Sequence, residues 1–152
     1  MDALVGSMLD LVWAAAADAI TGSRFRDDQD ALDENRYVAY QDQVFEHLFT
    51  ILRDAVDGAH GLGWEVYASA KSAVLHEFSL AWWGAVDAVS SPDFCLDDGS
   101  PDEAVRDEFR RNVRTEGTAK IMALLTSAPA IARYDPDGCC GEHVLQGSPP
   151  ST

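Results

Sequence analysis

Apolar residues recur at three- and four-residue steps along most of the chain, which is the period of an α-helix that packs one face against a core. In the first segment the pattern involves Leu4, Met8, Leu11, Val12 and Ala15. It predicts a helix over residues 1–20. No stretch of the sequence alternates apolar and polar residues as a half-buried strand does, so the pattern predicts an all-α protein.

The same period predicts two long helices after a polar segment. Residues 21–36 are predicted to form a loop, and a second helix is predicted from about Tyr37 to Asp57, where three glycines within six residues follow. A third helix, about 64–89, is apolar on nearly every face toward its end and is stopped by Pro92. Such a helix is typical of the buried centre of a bundle.

The fourth helix has the strongest start signal in the sequence. Ser100 offers an N-cap, Pro101 suits the first helical position, and Glu103 completes a capping box. Gly117 is a point at which this helix could divide into two, and Pro129 limits its end.

These elements predict a single helical-bundle domain of four to five helices over residues 1–134. Residues 135–152 are rich in Gly and Pro and have few apolar anchors, which predicts a mobile C-terminal tail. We expect no internal repeat, because no fixed period emerges along the chain.

Length and composition support one domain with a core, since the chain has 152 residues of which 47% are hydrophobic. Its charge is lopsided, with 26 acidic against 11 basic residues and a net charge of −15. Residues 1–100 hold 18 acids and 5 bases, so most of the negative charge lies there. This balance argues against direct binding of nucleic acid or of an anionic membrane, because both require clustered positive charge.

Residues 1–20 only superficially resemble a signal peptide, because Asp2 and Asp10 replace the positive and uncharged regions that such a peptide needs. The segment is also expected to be too short and too acidic to span a bilayer. The three cysteines, Cys95, Cys139 and Cys140, are an odd number and include an adjacent pair. They do not form a disulfide framework, so we expect a soluble, cytoplasmic protein.

An acidic segment follows the first helix and is the first candidate partner-binding surface. Its carboxylates are Asp27, Asp28, Asp30, Asp33 and Glu34. The segment lacks the glycine and glutamate register of a calcium loop. A solvated acidic surface is therefore expected.

Two pairs of aspartates offer an alternative, a magnesium site. Asp30 and Asp33 are three residues apart, and so are Asp54 and Asp57. Each pair would therefore occupy one face of a helix. Two such pairs facing each other could bind Mg²⁺. The layout loosely resembles that of the all-α nucleotide pyrophosphohydrolases of the MazG type, whose motif is led by glutamate. The resemblance implies a magnesium-dependent hydrolase, and a small-ligand-binding bundle is the related possibility.

A row of arginines at four-residue steps, Arg106, Arg110 and Arg114, is a further candidate binding surface. The simplest expectation is pairing within the helix, from Asp102 to Arg106 and from Asp107 to Arg111. The alternative is a ridge that docks an acidic partner or the protein's own acidic loop. Trp64 and Trp83 are candidate contact residues of an aromatic surface or groove, although an aromatic stripe at helical spacing is typical of a core.

The run Tyr40–Phe45 through Leu52–Asp54, followed by Gly63 and Trp64 before the apolar third helix, resembles the approach to the first homology motif of Bcl-2-like proteins. The resemblance implies a helical fold with a buried central helix and a groove that binds an amphipathic helix. Glu65 and Val66 stand where that motif has glycine and arginine.

No nucleophile elbow, phosphate-binding loop or histidine-based metal motif is present in the sequence. We therefore expect a non-enzymatic protein, without a cofactor, that binds and regulates or inhibits a partner protein with a basic surface. Strong negative charge would steer such association. The same composition is also typical of proteins adapted to high salt, in which case the charge would indicate no partner.

Overall fold

The computed structural model describes residues 2–60 and 64–126, without the side chains of 56–60, 64–69 and 126. Within these residues the chain forms four α-helices and one 3₁₀ turn: α1 (Asp2–Thr21), α2 (Glu34–His60), α3 (Trp64–Ser90), η1 (Pro92–Phe94) and α4 (Glu103–Thr126). The predicted all-α bundle is confirmed. The predicted tail 135–152 lies outside the described residues.

Helices α1 and α3 form the centre of the bundle, since they pack against each other and each packs against both α2 and α4. The predicted central helix, about 64–89, is therefore confirmed as α3. Its buried residues Val74, Phe78 and Trp82 face the core together with Val5 and Val12 of α1. Burial of this apolar surface is the main driving force for the bundle.

The expectation that the first segment is too short to span a membrane is wrong. Among the described residues, α1 is the one helix that is long and apolar enough for a membrane span, with a mean hydropathy of 1.5. In this structure its apolar residues belong to the core of the bundle: Val5, Met8, Leu9 and Val12 are buried against the other helices. The core helix of a bundle has the same composition as a membrane span.

The starts of α2 and α4 differ from the predicted ones. Helix α2 begins three residues earlier than predicted, because the Asp33 carboxylate accepts a hydrogen bond from the Arg36 N–H at 3.2 Å and caps the helix. Helix α4 is capped by Asp102, which accepts from the Val105 N–H at 3.3 Å. The predicted Ser100 cap is wrong, since Ser100 donates both its N–H and its hydroxyl to Asp98.

An internal repeat relates the two halves of the bundle, contrary to the expectation from sequence. Helices α1 and α3 end at Thr21 and Ser90, and helices α2 and α4 begin at Glu34 and Glu103, so both boundaries are 69 positions apart. We call α1, loop 1 (22–33) and α2 the first hairpin, and α3, loop 2 (91–102) and α4 the second hairpin. At this offset the identical pairs are Val5/Val74, Leu11/Leu80, Trp13/Trp82, Ala16/Ala85, Asp18/Asp87, Ala19/Ala88, Phe25/Phe94, Asp28/Asp97, Asp33/Asp102, Glu34/Glu103 and Val44/Val113.

In each hairpin, one tryptophan packs against an aromatic residue of the other hairpin. Trp82 of the second hairpin packs on Tyr40 of the first, with ring centroids 6.2 Å apart, and Phe25 lies 5.0 Å from Tyr40. At the equivalent positions, Trp13 of the first hairpin packs on Phe109 at 5.8 Å, and Phe94 lies 5.0 Å from Phe109. Contacts that are reciprocal in this way are those of a twofold interface between equal units.

Helices α1 and α4 come close together at a glycine. A Cβ atom at Gly117 would lie 2.9 Å from the Leu9 Cδ1, so any side chain at this position would clash with Leu9 where it now lies. The helix continues through Gly117 without a break, and the predicted division at this position does not occur. Tertiary packing explains this glycine better than a break in the helix does.

Candidate functional site

The acidic segment predicted from sequence lies in loop 1 and has an ordered hydrogen-bond network. The Asp27 carboxylate accepts from the Gln29 N–H at 2.8 Å and from the Ala31 N–H at 3.0 Å. These bonds, the one from Ala31 foremost, hold the pKa of Asp27 below its usual value. The loop turns at Asp30, which has a φ of 61°.

Loop 2 repeats the backbone of loop 1. The Asp33 N–H donates to the Phe25 carbonyl at 2.7 Å, and the Asp102 N–H donates to the Phe94 carbonyl at 2.9 Å. The left-handed residue recurs as well, since Gly99 has a φ of 86° at the position equivalent to Asp30. The sequence therefore encodes the same acidic loop twice.

A second carboxylate, Asp98, stabilises loop 2 in the role that Asp27 has in loop 1. The hydroxyl of Ser100 and then its N–H donate to Asp98, and these bonds lower the pKa of the carboxyl. Asp27 and Asp98 occupy positions that differ by two residues in the repeat, so the two loops reach the same stabilisation from different positions.

Several acids of the two loops thus have a structural purpose. Asp33 and Asp102 cap helices, and Glu34 and Glu103 lie in the first helical turns, where a negative charge interacts favourably with the helix dipole. Asp28 and Asp97 are exposed at equivalent positions, and their side chains take part in no hydrogen bond or ion pair within the described part of the chain. They are exposed acids that the two loops have in common and that neither cap a helix nor stabilise a loop.

Both loops are rich in acid, and loop 2 carries the larger excess. Residues 22–34 contain five acids and two arginines, and residues 91–103 contain five acids and no base. The arginines of loop 1 are engaged within the molecule. Arg24 lies over the Tyr40 ring at 4.5 Å, and Arg26 donates to the Ile20 carbonyl at 3.1 Å.

The arginine row lies between α4 and α1. Arg110 and Arg114 approach the two carboxylate oxygens of Asp10 at 3.6 and 3.5 Å, so they pair with a neighbouring helix. Arg106 pairs with Glu103 at 4.0 Å, three residues away, and Asp102 instead caps the helix. The pairs expected within α4, from Asp102 and from Asp107, do not form.

The two candidate tryptophans differ in what can be said of them. Trp83 is 56% exposed in the last two turns of α3, whereas its neighbour Trp82 is fully buried. Asp87, one turn further along α3, is also exposed. The side chain of Trp64 lies outside those that the structure describes. Trp83 is thus an exposed aromatic residue about two helical turns before the acidic loop 2.

The two aspartate pairs of the magnesium hypothesis are not brought together. Asp33 caps the start of α2 and Asp54 lies in the same helix, about 30 Å away at 1.5 Å per residue. One ion cannot bridge that distance. Among the side chains that the structure describes, no group of three or more Asp, Glu, His or Cys residues is arranged to hold a metal ion. The side chain of Asp57 lies outside those residues.

No protein-family model, no curated protein and no solved structure gives a significant match to this chain. The similarity to Bcl-2-like proteins therefore has no support beyond the residues that suggested it. The repeat also accounts for the apolar third helix differently, as one of two equivalent core helices.

Proposed function

We propose that this protein binds a partner protein with a basic surface, and that its two acidic loops are the contact surface. The observation that carries the proposal is the presence of the same acidic loop twice, with Asp28 and Asp97 exposed at equivalent positions. Structural demands account for Asp33 and Asp102, which cap helices, but not for these two. Regulation or inhibition of the partner would follow from covering its basic site.

Exposed Trp83 supports the same surface. Tryptophan is enriched among residues that dominate binding energy, and a tryptophan ring also attracts Lys and Arg side chains. Trp83 precedes loop 2 along the chain, and the equivalent position in the first hairpin is Ala14. The second hairpin therefore combines an aromatic anchor with the more acidic loop, and we assign it the larger share of the binding energy.

The test begins by immobilising the protein and exposing it to an extract of its source cells at 50, 150 and 500 mM salt, roughly the range over which screening of exposed charges becomes strong. Each captured protein is then purified, and its association rate is measured against three forms of this protein. The forms are the natural chain, the double variant Asp28→Asn/Asp97→Asn, and the control Asp42→Asn/Glu108→Gln. The control removes the same charge from exposed positions of α2 and α4.

We expect a basic partner whose association slows by about tenfold in the loop variant at low salt and by less than twofold in the control. The difference should disappear at 500 mM salt. Equal effects of the two double variants, binding that ignores salt, or the absence of any partner would contradict the proposal. Unfolding measured from low to molar salt completes the test, because folding that requires molar salt would assign the acidity to the environment.

A further inference from the structure

A hollow between the start of α1 and residues 111–122 of α4 has arginines along one wall. Its volume is about 600 Å³, within the range of small-molecule sites, and it is open to solvent. Arg111, Arg114 and Thr118 of α4 line it together with Ala3 and Gly6 of α1. The hollow lies at the end of α1 away from loop 1, so it is separate from the acidic surface proposed above.

The equivalent place in the other half of the repeat is filled by aromatic rings. There Phe45 and Phe49, which are both buried, stand at the positions of Arg114 and Thr118. The Lys71 ammonium lies over the Phe49 ring, 5.6 Å from its centroid. The fold thus accommodates a ring beneath a cation at this place, and the α1–α4 interface has neither of the two rings.

Arg111 is available to a ligand in this hollow. Its side chain is exposed and takes part in no hydrogen bond or ion pair within the described part of the chain, and the pair expected with Asp107 does not form. At its position the other half of the repeat has Asp42, which carries the opposite charge. The positive charge is therefore particular to the α1–α4 interface.

Arg114 supplies a second guanidinium beside the same hollow. A Cβ atom at Gly6 would lie 2.9 Å from the Arg114 Nε, so the glycine leaves room for the guanidinium against α1. The Asp10 carboxylate that pairs with Arg114 at 3.5 Å is shared with Arg110 at 3.6 Å. Asp2 also lines the hollow. Three arginines of this surface thus face two carboxylates, which leaves one positive charge in excess.

We propose that this hollow binds a small aromatic anion, a single ring that bears a carboxylate or phosphate group. The anionic group would contact Arg111 and Arg114, because guanidinium groups bind carboxylates and phosphates through paired hydrogen bonds. The ring would lie beneath a guanidinium, as Phe49 lies beneath Lys71 in the other half. The proposal is independent of the acidic loops and of any partner protein.

The test uses the full chain and two aromatic anions, phenylacetate and phenyl phosphate, which distinguish a carboxylate ligand from a phosphate ligand. Acetate and inorganic phosphate are the corresponding anions without a ring, and 2-phenylethanol is a ring without a charge. Binding is followed at one fixed, low ionic strength by amide chemical shifts, which report both the affinity and the place of binding.

Two variants remove the two halves of the recognition. Arg111→Gln removes the charge that has no partner, and Thr118→Phe introduces the ring of the equivalent position and fills the hollow. Lys120→Gln is the matched control, because it removes a positive charge from the same helix and Lys120 does not line the hollow.

We expect at least one aromatic anion to saturate the protein with a Kd of about 1 mM or tighter, given the affinity that so few atoms can supply. Shifts should centre on the residues of α1 and α4 that line the hollow, and the probes without a ring or a charge should bind at least about fivefold more weakly. Arg111→Gln and Thr118→Phe should each weaken binding by about fivefold or more, and the control by less than about twofold.

Arg111→Gln should fold, because it changes an exposed side chain, and circular dichroism checks both variants. If Thr118→Phe does not fold, Arg111→Gln alone decides the test. The proposal is wrong if neither aromatic anion saturates the natural protein, or if a probe without a ring or a charge binds as tightly as the aromatic anions. It is also wrong if Arg111→Gln, or a folded Thr118→Phe variant, retains the natural affinity.

Discussion

The first and second hairpins share one backbone plan and differ in how they secure it. In the first hairpin, Tyr37 accepts a hydrogen bond from the indole N–H of Trp82 at 2.7 Å within the core. The equivalent residue of the second hairpin is Arg106, whose Nε is buried without a hydrogen-bond partner among the described residues. An aromatic network on one side thus corresponds to a polar side chain on the other.

The interhelical contacts differ in the same sense. Between α2 and α3, Phe45 packs on Phe78 with ring centroids 5.8 Å apart. Between α4 and α1, the residue equivalent to Phe45 is Arg114, which pairs with Asp10. Apolar packing contributes more to stability than a partly exposed ion pair does. One fold thus accepts two kinds of interface, one with packed aromatic rings between α2 and α3 and one with ion pairs between α4 and α1.

The largest expected effect is that of replacing Trp82 or Trp13, the tryptophans that pack against the opposite hairpin, by alanine. Trp82→Ala should lower the free energy of unfolding by about 4 kcal/mol, since removing a large buried aromatic residue leaves a cavity. Trp13→Ala should lower the free energy of unfolding by about 1 kcal/mol less than Trp82→Ala does, because Trp13 is slightly exposed and contacts fewer rings. Urea unfolding measures both.

If either alanine variant does not fold, Trp82→Phe and Trp13→Phe keep the comparison measurable. An equal loss at the two positions would contradict the larger contribution expected of Trp82.

A smaller effect is expected from removing the hydroxyl of Tyr37. Tyr37→Phe leaves the buried Trp82 N–H without an acceptor and should cost about 1–3 kcal/mol. The control is Tyr40→Phe, because Tyr40 also contacts Trp82 but its hydroxyl makes no hydrogen bond within the described part of the chain. Thermal unfolding of the two variants should differ clearly, and similar melting temperatures would contradict the role assigned to this bond.

The contact of α1 with α4 can be tested at its glycine. Gly117→Ala should destabilise the protein by about 1–2 kcal/mol, because the new Cβ would displace the Leu9 side chain, which is 2% exposed. Gly84→Ala is the control, since its Cβ would lie at ordinary contact distances of 3.5–3.6 Å. There the higher helix propensity of alanine should stabilise by up to about 1 kcal/mol. Opposite signs in urea unfolding are expected, and a stabilised Gly117→Ala variant would contradict the close approach.

The smallest effect concerns the pH dependence of the two loops. The pKa values of Asp27 and Asp98 are lowered in the folded chain from the ordinary value of 3.8, so each carboxylate stabilises its loop above that pH. This stabilisation is lost as the pH falls through the lowered pKa. The protection of the Ala31 and Ser100 amides, which is their intrinsic exchange rate divided by the observed rate at the same pH, should therefore fall in acid.

The variant Asp27→Asn separates the two loops. It should remove the acid-induced change from loop 1 and leave that of loop 2 unchanged, and a change in both loops would show that their hydrogen bonds are coupled.

The helices were predictable because the apolar period of a helix involves only neighbouring residues, and the polarity of each residue indicates whether its side chain is buried. The exact starts were not, because serine and aspartate are both good caps, and backbone geometry selected Asp33 and Asp102. The repeat could have been read from one signal, the shared pattern that runs from Trp13 to Phe25 and from Trp82 to Phe94. Few positions are identical in the two hairpins. The twofold relation requires only that burial and turn geometry are kept, and many different side chains meet both requirements.

The candidate surfaces were predictable in part. Exposure of Asp28 and Trp83 agrees with their selection from sequence, since solvated charges and an apolar helix end are visible in the pattern. The pairing of Arg110 and Arg114 with Asp10 was not predictable, because it joins residues one hundred positions or more apart. The buried Glu77 was missed for the same reason, since its sequence neighbours do not show which helices cover it.

The sequence by itself determined the helical class, the apolar character of α3 and the acidity of the loops. These properties follow from composition and from a period of 3.6 residues, both of which act over a few neighbouring positions. The tertiary structure decided that the two hairpins are equivalent, that Arg114 faces α1, and that Glu77 is buried where the first hairpin has Met8. Those outcomes depend on how distant helices pack, and packing is set by all the side chains of the interface together.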